Sequence, residues 1–256
     1  MSRAVAVRPP QHGLRVAVAG GVARLTIERP AAGNRITPEL AQALCDAAEA
    51  IELDNSIVGV VLAATGPHFC LGVESPGRWE PGLDWVESMA RLSRPVIAAL
   101  HGDAIAEGLE LALACDLRVV SSRAHFAMPQ LASGRIPSHG GTQRLPRIVG
   151  RMRALDLLLT GRRIDATEAE TIGLASRVVP HRQMGRAVNG LVTELLSKGP
   201  IALRYAKEAI LKGGDMTLDQ GIRLEEDLYV LLQTTADRRA GVEAFLRKRK
   251  AVFEGK

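Results

Sequence analysis

The sequence predicts an α/β protein: a layered core of strands and helices followed by an all-helical tail. Three observations carry this. Strand-like and helix-like segments alternate with short connections from residue 14 to about 172. Residues 57–64 (IVGVVLAA) are almost continuously apolar, as a strand buried on both faces must be. From residue 185 onward the apolar spacing is helical.

Residues 1–13, interrupted by Pro9, Pro10 and Gly13, read as a loose arm. Two strands follow, 14–19 and 22–28, and Gly20-Gly21 between them signals a hairpin. Thr37 and Pro38 supply the N-cap and first residue of a helix. Leu40, Leu44, Ala47, Ala48 and Ile51 form its apolar stripe. After 57–64 come Phe69-Cys70-Leu71-Gly72 and a Pro/Gly-punctuated loop, 75–84. A helix at 85–92 leads to a strand at 95–100, then to a helix ending near Cys115. Short strands at 117–120 and 125–127 precede helices at 147–161 and 167–172. The tail helices span 185–196, 200–211, 217–232 and a basic 237–250. The resulting division is a core over 1–195 and a helical region over 196–256.

Composition narrows the function classes. Hydrophobic residues make up 46% of the 256, which is ordinary for a globular chain. Aromatics make up only 3%, which argues against nucleic-acid recognition by base stacking. A net charge of +5 suits solubility, or an anionic partner such as a phosphorylated small molecule. Cys45, Cys70 and Cys115 are odd in number, widely spaced and set in apolar runs, so reduced buried thiols are expected and no metal site. No apolar run has the length of a membrane span and the opening residues lack an apolar signal core, so a soluble, cytoplasmic protein is expected.

Chemistry concentrates in residues 94–116, RPVIAALHGDAIAEGLELALACD. A β-branched strand runs through Gly102 and a turn into a helix with Glu110 in its first turn. The free N–H groups of a helix start, with the positive end of its dipole, stabilise negative charge there. Gly108 lets a ligand approach the backbone. Donors for a developing oxyanion thus stand one turn from a carboxylate, as proton transfer beside a carbonyl requires.

The runs ERPAAGNRITPEL (28–40), FCLG (69–72), 94–118, FAMPQLASGRIPSHGGTQRLPRIVG (126–150), TGRRIDATEAETIGLASRVV (160–179) and AFLRKRK (244–250) resemble, in this order and spacing, the crotonase (enoyl-CoA hydratase/isomerase) superfamily. The resemblance implies a crotonase-type spiral of ββα units with a C-terminal helical trimerisation region. It also implies an acyl-CoA thioester substrate and no cofactor beyond the coenzyme A it carries. A homotrimer or dimer of trimers is expected, with no nucleic acid or membrane partner.

By the same resemblance, the backbone N–H groups of Val73 and Glu107 form the oxyanion hole and Glu110 is the catalytic glutamate. Two departures stand out. Ala106-Glu107-Gly108 replaces a glycine triplet, and the Glu107 side chain is expected to lie exposed as a first-turn acid, the alternative being that it points into the site. Pro129-Gln130 replaces the Pro-Glu pair of hydratases. Glutamine orients water but exchanges no proton, so Glu110 would have to take the water proton and return it. That predicts a slower or more specialised hydratase, suited to a conjugated dienoyl thioester.

Ser138 takes the place of a water-positioning glycine, and could act through its hydroxyl or simply cap a helix. His139 is a weaker candidate for a third acid/base group. Backbone at Ala31, Ala32 and Gly33, together with Gly72 and Gly108, is expected at the substrate. Phe245 and Lys248 are expected at the adenine and 3′-phosphate of a neighbouring subunit's coenzyme A, unless the final helix is only a solvated basic end. Arg35 and Arg78 are further cationic candidates, and the 75–85 segment, with Trp79 and Trp85, is expected at the acyl pocket. Hydration leads. A double-bond isomerase or decarboxylase on the same scaffold is the alternative, and a non-catalytic CoA- or RNA-binding protein is the third reading.

Overall fold

A computed structural model describes residues 6–75 and 84–256. The chain begins β1 (Ala6–Gln11), β2 (Leu14–Ala19), β3 (Val22–Ile27), α1 (Pro38–Leu53), β4 (Gly59–Ala64), β5 (His68–Cys70) and α2 (Trp85–Ala90). It continues β6 (Val96–Leu100), β7 (Asp103–Ile105), α3 (Glu107–Leu113), β8 (Leu117–Ser121), β9 (His125–Ala127), α4 (Gly141–Val149) and α5 (Arg151–Thr160). Then come β10 (Ile164–Asp165), α6 (Ala166–Thr171), β11 (Arg177–Val179) and the helices α7 (Met184–Leu196), α8 (Pro200–Gly213), α9 (Leu218–Gln233) and α10 (Ala236–Leu246).

The strands form two sheets, of order β1-β2-β3-β4-β6-β8-β11 and β10-β9-β7-β5. Each β–β–α turn of the chain gives one strand to each sheet and then a helix: β4, β5, α2; β6, β7, α3; β8, β9, α4. Strands β3, β4, β6, β8 and β11 run parallel, as do β5, β7 and β9. This is the expected spiral of ββα units.

Alternation along the central strands accounts for their unbroken apolar character. Val60 and Leu62 of β4 and Val96 and Ala98 of β6 enter the main core. Between them, Val61 and Ile97 point the other way, onto Met184, Val188 and Val192 of α7. Each fully buried Leu, Ile or Val in this double layer contributes about 1.5–3 kcal/mol. Helix α1 starts as expected: Thr37 accepts a hydrogen bond from the Leu40 N–H at 3.2 Å, Pro38 follows, and the whole predicted stripe is buried.

Four expectations need correction. Part of the supposed arm is β1, paired antiparallel with β2; Pro9 and Pro10 are tolerated because β1 is a sheet edge. Its turn, His12-Gly13, has positive φ at both residues, just as Gly20-Gly21 does one hairpin later. The segment between Gly102 and the Glu110 helix is the strand β7 rather than a turn. The helix expected over 147–161 is two helices, α4 and α5, parted at Gly150 (φ +83°). The last helix stops at Leu246, four residues short. The Lys248 N–H donates to Phe245 and the Arg249 N–H to Ala244, with Lys248 in the left-handed region, so a Schellman cap ends it. The final residues then fold back: both carboxylate oxygens of buried Asp237 accept N–H bonds, from Glu254 (2.7 Å) and Gly255 (2.9 Å).

Candidate active site

Helix α3 carries the site. It starts at Ala106, whose φ of +53° and ψ of −123° suit glycine, and whose carbonyl accepts the N–H groups of Leu109 and Glu110. Such a conformation costs an L-residue on the order of 1–3 kcal/mol. Ala106→Gly is therefore expected to stabilise the fold by about 1 kcal/mol, a rise of roughly 2–4 °C in Tm. An unchanged or lower Tm in a thermal melt would show that the strain is not felt.

Two residues further on, Gly108 packs against the 69–72 turn so closely that a Cβ there would stand 2.2 Å from the Cys70 carbonyl oxygen. The neighbouring segments are also tied together. Ile36 N–H bonds Gly72 O (2.9 Å), Glu74 N–H bonds Ile36 O (2.9 Å), and Leu71 N–H bonds Gly33 O (3.1 Å). Buried Asn34 joins the same knot, giving both amide hydrogens to the carbonyls of Thr65 and His68 at 2.7 Å and accepting the Arg29 N–H.

Glu110 is wholly buried. Its Oε1 accepts the N–H groups of His139 (2.7 Å) and Gly141 (2.8 Å), and its Oε2 faces the Gln130 Nε2 at 3.4 Å. Burial pushes its pKa from 4.5 up to about 7; the amides of Gly141, His139 and Ser138 oppose the rise and the nearby charge of Glu107 adds to it. A carboxyl ionising near neutrality suits proton transfer in either direction. The amide oxygen of Gln130, Oε1, is buried and has no hydrogen-bond partner among the described residues.

Glu107 departs from expectation. The residue is buried, 2% exposed, and its side chain is turned inward. Oε1 accepts from the Arg135 Nη1 at 2.9 Å, and Oε2 accepts from the Val73 N–H at 3.3 Å. An acid on a helix's first residue can face out or in; here a guanidinium and an amide hold it inward. Arg135 was missed by sequence reasoning, because the pair joins residues 28 apart in the chain and neither belongs to a local pattern.

Ser138 is exposed and is not a cap; the N-cap of α4 is Gly140. The amide of His139 donates to Glu110. The ring lies 5.1 Å from that of buried Trp85, and burial holds its pKa below the usual value. Ala31 and Ala32 end a 3₁₀ turn and Gly33 follows it in the left-handed region, beside Leu71. The Arg35 guanidinium is engaged with the Leu71 and Val73 carbonyls. Phe245, 81% exposed, and Lys248 lie on and just past α10, and no hydrogen bond of the Glu107–Glu110 cluster involves them. Arg78 and Trp79 lie outside the described residues. The thiols of Cys70 and Cys115 are buried, with pKa values pushed up to about 12, while Cys45 is half-buried.

Fold and site together define an α/β protein with a buried, near-neutral glutamate beside a cluster of backbone amides. Comparison with known proteins agrees. The profile of the enoyl-CoA hydratase/isomerase family matches residues 17–256. The chain is 35% identical over 242 residues to the 2,3-dehydroadipyl-CoA hydratase of Escherichia coli (strain K12), covering 91% of this chain and 94% of that one. It is 35% identical over 256 residues to the enoyl-CoA isomerase/hydratase fer4 of Mycosarcoma maydis, covering 92% and 93%. The crystal structure of an enoyl-CoA hydratase from Bacillus anthracis superposes with a TM-score of 0.92 at 33% identity, covering 96% of this chain and all of that one. The chain belongs to the enoyl-CoA hydratase/isomerase family.

Proposed function

We propose that this protein is a hydratase-type lyase that reversibly adds water across the Cα=Cβ bond of an enoyl- or dienoyl-CoA thioester. The observation that carries the reading is Glu110: fully buried, ionising near pH 7, and held by two backbone amides beside Gln130. In the forward direction, ionised Glu110 accepts a proton from water as its hydroxyl oxygen bonds to Cβ. The π electrons shift toward Cα and the thioester oxygen, giving an enolate. The N–H groups of Val73 and Glu107 stabilise that oxygen's charge. Glu110 then returns the proton to Cα.

Gln130 orients the water. Its unpartnered, buried Oε1 has the chemistry to accept the second water hydrogen. The Ser138 N–H assists at the same water, and its exposed hydroxyl is free to join the network. Backbone at Ala31, Ala32 and Gly33, with Gly72 and Gly108, borders the thioester and pantetheine.

Assembly enters the reading through the C-terminal helices, which leave Ile210, Leu218, Tyr229, Val230 and Leu246 more than 60% exposed on a single chain. Such surface favours burial against further copies, as a homotrimer or dimer of trimers. Phe245 and Lys248 then meet the adenine and 3′-phosphate of a neighbour's coenzyme A. The reading needs no metal and no cofactor beyond coenzyme A, and no nucleic acid or membrane. Among the described residues no helix is long and apolar enough to cross a bilayer. Unpaired thiols suit the cytoplasm.

Incubating the protein with unsaturated acyl-CoA thioesters in H₂¹⁸O tests the chemistry. Hydration is expected to give a 3-hydroxyacyl-CoA labelled at the Cβ oxygen. A turned-over but unlabelled product would overturn hydration in favour of isomerisation or decarboxylation at the same carboxylate.

A further inference from the structure

We propose that the Glu107 side chain is an internal ligand of the oxyanion hole, one that an incoming thioester oxygen displaces and that Arg135 then holds alone. The inference rests on the reading of the Val73 amide as a donor to the thioester oxygen. Within that reading Glu107 has two parts that pull in opposite directions. Its backbone N–H is a donor of the hole, while its carboxylate sits on the other donor, at 3.3 Å from the Val73 nitrogen.

The seat is built rather than incidental. The carboxylate presses on the 69–72 turn, where a Cβ on Gly72 would come within 2.7 Å of its Oε2. It is 97% enclosed as a side chain, and its other oxygen is paired with the Arg135 guanidinium at 2.9 Å. An amide pair shaped for an enolate oxygen accepts any small anion, and a carboxylate is one. Yet a full negative charge left there opposes the enolate as it develops, so the carboxylate must leave before the reaction proceeds. Arg135 makes the departure possible. Its side chain is 29% exposed and so has room to follow the carboxylate outward, keeping the charge paired.

The consequence falls on binding. Every acyl-CoA that enters breaks one hydrogen bond to a charged group, which weakens its affinity by on the order of ten- to a hundred-fold. The nucleotide end of coenzyme A offsets that loss, so thioesters lacking it are excluded more strongly than the pocket's shape alone would require.

Calorimetric titration with butyryl-CoA, which is saturated and does not react, measures this directly. Glu107→Ala is expected to bind it about ten-fold more tightly than the natural chain, with the isosteric Glu107→Gln between the two. The ¹H–¹⁵N signal of the Val73 amide should also move in both unliganded variants as its carboxylate acceptor is lost. Should Glu107→Ala fail to fold, Glu107→Gln supplies both readouts. Equal or weaker binding with an unmoved Val73 signal overturns the internal-ligand proposal while leaving the acyl-CoA reading intact. Failure of the natural chain and both variants to bind butyryl-CoA overturns that reading and the proposal with it.

Discussion

Glu110→Gln should lower turnover of an enoyl-CoA thioester by about 10²–10⁴-fold, the range expected when one general acid/base is removed. Glutamine keeps the length and one acceptor oxygen, so the amides of His139 and Gly141 keep a partner and the loss reports the proton alone. The pH dependence separates this from a structural effect. If ionised Glu110 accepts the water proton, kcat/KM of the natural protein rises with pH through about 7, and that limb vanishes in the variant. Retained turnover, or a retained limb, would remove Glu110 from the reaction.

Stability must respond in the opposite sense. The folded carboxyl holds its proton up to about pH 7, whereas in the unfolded chain it lets go near 4.5. Below 4.5 both states are protonated and the group exerts no pH dependence. Between 4.5 and 7 the folded state binds more protons than the unfolded one, so stability falls as pH rises, and above 7 the loss is complete. Glu110→Gln is thus expected to be the more stable protein at pH 8, by on the order of a few kcal/mol, and to lose that advantage at pH 4 in denaturant titrations. The buried Glu110 carboxylate is a burden on the fold above pH 7, the range in which the proposed proton transfer needs it ionised.

Gly108→Ala carries the second large effect, on fold and chemistry together. Its Cβ would stand 2.2 Å from the Cys70 carbonyl oxygen and 2.8 Å from the Cys70 carbonyl carbon, and backbone cannot turn aside as a long side chain can. The helix start and the 69–73 turn must move apart. Overpacking of this kind costs about 1–3 kcal/mol, seen as a lower denaturation midpoint. Because Val73 and Glu107 sit on the two separated segments, the oxyanion hole proposed for their amides would open, and kcat should fall by about 10²–10³-fold, the cost of one lost oxyanion donor. A folded Gly108→Ala protein with natural turnover would show that the close approach is packing only.

Local signals made much of the fold legible. Thr37-Pro38, the Gly20-Gly21 turn and the apolar central strands each state their structure within a few residues, and each was read correctly. Of the shortest strands only β9, His125–Ala127, was read as one; β5, β7 and β10, of two or three residues, are too short for any periodicity to register and were not read as strands. Strand β1 was hidden by two prolines that an edge position tolerates. In the site, Glu110 and Gln130 could be found from their setting in the chain. The inward turn of Glu107 could not. It depends on Arg135 and Val73, far off in sequence, and a lone acid at a helix start carries no mark of which way it will face.

The fold-back onto Asp237 bears on how the chain tolerates change at its end. That aspartate is buried at the first turn of α10 and is satisfied by the main chain of residues 254 and 255. Removing residues 254–256 would strip the buried Asp237 carboxylate of both main-chain donors, at the start of the helix that bears Phe245. The main chain of residues 254 and 255 is thus a clasp on the start of α10.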